Sequence, residues 1–186
     1  MPMSSDPLGL VDCEVIGDGW LAQPVSAWSS LAFVISALIT AVNLRRHPVR
    51  MTTSSWVAVG SLAAIGLGSF DYHGWQSAVA QWLHDLPIVL LLVTVVVTLG
   101  NRLRHRSHLL PGATQSRWLV LLSLLLISGI VYALGRSGSP ACDPGSLWQW
   151  HALWHVTIAA ALGLSIVLIW GVANSNESGD STAVRE

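Results

Sequence analysis

Apolar residues in this chain do not recur at the period of a surface helix or strand; they run in long blocks separated by short polar stretches. A hydrocarbon core about 30 Å thick takes roughly 20 helical residues. Five blocks reach that length, at about 24–43, 54–73, 79–100, 116–134 and 149–173. The pattern predicts an all-α, polytopic transmembrane bundle of about five helices. The longest connection, roughly 15 residues before Trp118, is too short for a soluble domain, so residues 1–173 are expected to form one domain. Residues 174–186 are rich in Ser, Asn, Gly and Glu and predict a disordered tail. No internal repeat is visible.

Composition agrees with a bilayer protein: 52% of the 186 residues are hydrophobic and 10% charged, with a mean hydropathy of +0.57. A net charge of −1 offers no basic surface for nucleic acid. Residues 1–22 carry Asp6, Asp12, Glu14 and Asp18 but no cation, so no cleavable secretory signal is expected. All nine cations are arginine, and seven of them, Arg45, Arg46, Arg50, Arg102, Arg104, Arg106 and Arg117, flank the connections after the first and third helices. The positive-inside rule makes that side cytoplasmic. The N-terminus, the 74–78 turn and the 135–148 loop are then expected outside, and the C-terminus in the cytoplasm. Seven tryptophans fall near the outer boundary (Trp20, Trp28, Trp75, Trp82, Trp148, Trp150, Trp154) and Trp56, Trp118 and Trp170 toward the inner one. This is the pattern of interfacial aromatic belts, with substrate stacking by Trp154 as the alternative.

Asp71, His73, His84, Asp85, His151 and His155 interrupt or border the apolar blocks, where an ionisable group is costly unless paired or hydrated. In the arginine-derived topology His73 ends the second helix, His84 starts the third, and His151 and His155 start the fifth, so all reach the outer leaflet. His151 and His155 are spaced i, i+4 and share a helix face about 5–6 Å apart, as two ligands of one ion would. Ser69 and His73 repeat that spacing. Catalytic zinc takes three protein ligands and leaves a place for water, whose pKa it lowers toward about 7. His73, His151 and His155 fit that set, with Asp85 expected to hold and deprotonate the water and Ser69 to donate to an oxyanion. Two other readings use the same residues: histidines that merely hydrogen-bond helix to helix, and a histidine pair ligating haem b, which leaves Ser69 and Asp85 idle. Asp71 either supports the site from outside or snorkels to the boundary. His47, His105 and His108 lie among arginines and read as solvated surface.

Five segments carry a family resemblance. Asp12-Cys13-Glu14, Gln23-Pro24-Val25-Ser26-Ala27-Trp28-Ser29-Ser30, Gly68-Ser69-Phe70-Asp71-Tyr72-His73, His84-Asp85-Leu86-Pro87 and His151-Ala152-Leu153-Trp154-His155 resemble, in order, the motifs of the alkaline ceramidases. Those belong to a wider superfamily of membrane hydrolases that includes the adiponectin and progestin receptors. The resemblance implies a zinc amidohydrolase that cleaves a membrane lipid amide, ceramide to sphingoid base and fatty acid, with zinc on His73, His151 and His155 and Ser69 beside it. It also implies a calcium site, for which Asp12, Glu14 and Asp18 are the available residues.

The chain departs from the family in three ways. The family has seven transmembrane helices, and a pair is missing here between the third helix and the helix of His151 and His155. The family's catalytic Asp, 11 residues after the first His, is His84 here, followed by Asp85, so either can serve the water. Gln23 stands where the family has an acidic residue. The smaller bundle implies a shallower pocket, so the expected substrate class is a lipid amide or ester. A non-enzymatic, zinc-containing lipid-binding or receptor-like protein is the alternative. Cys13 and Cys142 both fall on the outer, oxidising side, where an even pair favours a bond over two free thiols; the resemblance implies the same disulfide.

Overall fold

The computed structural model describes residues 7–46, 51–104 and 115–171. Each apolar block is helical: α1 (Pro24–Arg46), α2 (Thr53–His73), α3 (Ala80–Arg104), α4 (Gln115–Leu134) and α5 (Trp150–Ile166), the last continuing as a π-helical turn, Val167–Gly171. All five are long and apolar enough to cross a membrane. Helices α1 and α3 run further than the apolar blocks, through Arg46 and Arg104, because nothing in their polar ends breaks a helix. Arg45, Arg46, Arg104 and Arg117 gather at one end of the bundle, and the segment 7–23, the turn after α2 and the loop before α5 at the other. The expected tail at 174–186 and His47, His105, His108, Arg50 and Arg106 lie outside the described residues.

Helix ends are satisfied by specific side chains. The Thr52 hydroxyl caps α2 by accepting from the Ser55 amide at 3.2 Å. At α1 the cap comes from far upstream: the two carboxylate oxygens of Glu14 accept from the Val25 and Ser26 amides, each at 2.7 Å. An anionic acceptor there also meets the positive end of the helix dipole.

Packing follows the order α3, α2, α1, α5, α4, with α2 and α5 also touching to close the interior. Close approaches hold this arc. Pro87 sits inside α3, and having no N–H it leaves the Leu83 carbonyl without its helical donor. That carbonyl lies against Gly68 of α2, where a Cβ would meet it at 1.9 Å. The missing side chain therefore lets the two backbones approach, which sets Ser69 and His84 on one cavity. Gly163 of α5 similarly accommodates Ser36 of α1, whose hydroxyl donates to the Ala159 carbonyl at 2.7 Å.

The interior core runs through Phe33, Leu44, Leu62, Ile65, Leu91 and Ile166. Leu38, Val96 and Leu126 stand for many large apolar side chains left exposed on the outward faces, an arrangement suited to lipid and not to water. Trp20, Trp28, Trp75, Trp82 and Trp148 are exposed at the end of the 7–23 segment, as a belt requires. Trp170 differs from that expectation: it is buried and donates its indole N–H to Ser54 Oγ at 3.0 Å.

The segment 7–23 crosses the mouth of the bundle and is fastened to the loop before α5. Cys13 and Cys142 form the expected disulfide, Asp12 and Arg136 form an isolated antiparallel bridge, and the Cys13 amide donates to the Gly135 carbonyl at 2.9 Å.

Candidate metal centre

The end of α2 and the first turns of α5 bring three buried histidines together. Ring centroids are 5.0 Å apart for His73 and His151, 5.2 Å for His73 and His155, and 4.6 Å for His151 and His155. One ring nitrogen from each lies within 4.8 Å of the others, and this is the one group of three or more potential ligands among the described residues.

Neighbouring side chains set the state of each imidazole. His73 Nδ1 lies 2.8 Å from Gln23 Oε1. The Gln23 amide nitrogen donates to the Gly9 and Glu14 carbonyls at 3.1 and 2.8 Å, which fixes the amide so that its oxygen accepts from the ring. His155 Nδ1 lies 2.8 Å from Ser29 Oγ, and that hydroxyl spends its own proton on the Ser26 carbonyl at 2.9 Å. Both rings thus carry their proton on Nδ1 and present a lone pair at Nε2, the orientation that outer partners impose on metal-ligating histidines. His151 Nδ1 stands 3.3 Å from Asp12 Oδ1, an ion-pair distance without hydrogen-bond alignment, so both nitrogens of this ring lack a hydrogen bond. Burial pushes the Asp12 carboxyl up to about 6, against the lowering pull of Arg136 and His84.

Nε2 of His151 and of His155 are buried without a partner, which packing histidines rarely tolerate. A group of three converging imidazoles suits a borderline-soft divalent ion, and the three-histidine set is one that zinc takes.

Beside the histidines lies a cavity of about 110 Å³, lined by Ser69, His84, Trp154 and His155 and by apolar groups that include Phe33 and Leu91. Ser69 is buried against Ser30, with the two hydroxyl oxygens 2.9 Å apart. His84 faces the cavity with its ring against Tyr72, centroids 4.7 Å apart, and its Nδ1 is 2.7 Å from Asp85 Oδ1. Asp85 stands behind His84 with a side chain 53% exposed, outside the cavity lining. Trp154 packs on both His151 and His155.

Other residues singled out from the sequence stand apart. Asp71 accepts from the Ser77 hydroxyl at 2.5 Å and the Ser77 amide at 3.3 Å, closing the turn after α2. Asp12 faces Arg136 and His151, Glu14 caps α1, and Asp18 is exposed, so these three do not converge on a point. Gln23, Ser29, Ser30 and Tyr72 lie within the segments that carry the resemblance, yet neither they nor Arg136 has a role at the histidines in the sequence reading; their contacts arise from tertiary approach.

The Gln23 contact is testable. Gln23→Ala is expected to weaken zinc binding by about 10–100-fold, as loss of an outer partner does, in a chelator competition titration. An unchanged affinity would mean that the hydrogen bond does not orient His73. Comparison with known proteins finds no matching family model, curated protein or solved structure.

Proposed function

We propose that this chain is a membrane-embedded, zinc-dependent hydrolase of a lipid amide, ceramidase-like. The observation that carries the reading is the trio of buried histidines, with ligand atoms within 4.8 Å of one another and partnerless ring nitrogens on His151 and His155, beside a cavity holding a hydroxyl and a fourth histidine. A bound zinc ion supplies Lewis acidity and brings the pKa of water toward about 7.

The chain's own residues account for the rest of the reaction. The Ser69 hydroxyl, braced by Ser30, donates to the amide oxygen as negative charge develops there. With Nδ1–H directed at Asp85, His84 offers Nε2 as the base that takes a proton from the attacking water. The same nitrogen returns it to the leaving amine, so that amide and water become carboxylate and amine. Asp85 acts through His84 as a positioning residue. The apolar cavity walls suit an acyl chain, and Trp154 closes the cavity beside His155. Ring separations of 4.6–5.2 Å leave no space for a porphyrin between any two of the imidazoles, which favours zinc over haem.

The histidine end is proposed to face the extracytoplasmic side, since Arg45, Arg46, Arg104 and Arg117 collect at the opposite end. Reporter fusions after residues 50 and 110 are expected to read cytoplasmic and a reporter at 136–146 external; the reverse pattern would invert the site. For the activity, purified zinc-loaded protein incubated with ceramide in mixed micelles should release fatty acid and sphingoid base, abolished by a zinc chelator and restored by zinc. Stoichiometric zinc without hydrolysis of ceramide or other lipid amides and esters would favour the non-enzymatic, lipid-binding alternative.

A further inference from the structure

A second concavity, of about 680 Å³, lies on another face of α5, between α1 and α5 with Arg117 of α4 at one end. It shares no lining residue with the cavity beside the histidines. Ala32, Ser36, Thr40 and Asn43 contribute its floor from one face of α1, and Ala160 and Gly163 contribute from α5. Small residues at helical spacing on both helices open the groove, while Ile39 and Leu164 stand as walls. The Ser36 hydroxyl is already used on the Ala159 carbonyl, so it does not demand a polar occupant.

Ala32 to Asn43 spans about 16 Å at a rise of about 1.5 Å per residue, roughly half of a hydrocarbon core about 30 Å thick. The groove thus has the length of one leaflet and ends where the arginines gather. Arg117 is exposed and makes no hydrogen bond or ion pair among the described residues. A cation at the edge of the hydrocarbon needs an anionic partner or the headgroup layer.

We propose that this groove binds an anionic membrane phospholipid, one acyl chain lying along α1 and α5 and the headgroup phosphate meeting Arg117. A helix from a second copy would also cover the apolar floor, but the exposed cation at the end of the groove matches a headgroup phosphate, so charge complementarity selects the lipid.

The test is native mass spectrometry of the full-length protein in micelles supplied with equal amounts of dioleoyl phosphatidylglycerol and dioleoyl phosphatidylcholine. One phosphatidylglycerol is expected to be retained in preference to phosphatidylcholine. Arg117→Gln should lower that preference about fivefold, the share of one arginine at an anionic headgroup. Ala160→Phe, at an exposed position that spares the core, should reduce both adducts, with unchanged far-UV circular dichroism in each variant. Equal retention of the two lipids would overturn the proposal. So would an undiminished preference in Arg117→Gln, or a protein dimer that Ala160→Phe abolishes; Arg117→Gln decides alone if Ala160→Phe fails to fold.

Discussion

His84→Ala should lower turnover of a lipid amide by about 10²–10⁴-fold, the usual worth of a positioned acid–base group, while zinc stays bound. The reason is geometric. His84 lines the cavity together with Ser69 and His155, whereas Asp85 reaches it only through the His84 ring. Asp85→Ala should therefore be milder and alter the pH profile of turnover, since it removes the group that holds the proton on His84 Nδ1. Ser69→Ala should cost about 10²–10³-fold, the effect of deleting one oxyanion donor, again with metal retained. Steady-state kinetics alongside metal analysis reads all three. A severe Asp85→Ala with a mild His84→Ala would reverse the two roles.

Removing any one of His73, His151 and His155 should weaken zinc binding by more than about 100-fold, because loss of an outer partner alone costs about 10–100-fold. Two imidazoles hold the ion poorly at low concentration, and the neighbouring Asp12 carboxylate contacts only His151 of the three. His84→Ala serves as the control, being a half-buried histidine outside the trio. Stoichiometric zinc in the His151→Ala, His155→Ala double variant would remove the site from the account and leave histidines that pack helices.

Much of this was legible in the sequence because a bilayer imposes length. Blocks of about 20 apolar residues admit one interpretation, and polar residues inside them stand out against it. The i, i+4 spacings of Ser69 with His73 and of His151 with His155 placed the trio. Facing was harder to read. Helices apolar on every side carry little rotational signal, so nothing in the pattern said that His84 faces the cavity while its neighbour Asp85 faces away. The outer partners were hidden for another reason: Gln23, Ser29 and Asp12 meet the histidines only through tertiary approach. Asp71 drew notice as an acid near a ligand, yet its carboxylate is spent on a turn six residues on. Trp170 does lie at the arginine end, bonded to Ser54 in the first turn of α2, but it is buried there instead of facing outward.

The most direct test of the three-histidine centre is X-ray absorption spectroscopy of the purified, zinc-loaded protein. The expected spectrum has a first shell at about 2.0–2.1 Å and outer-shell scattering from three imidazoles. A first shell of six oxygens without imidazole scattering, or one containing sulfur, would contradict ligation by His73, His151 and His155.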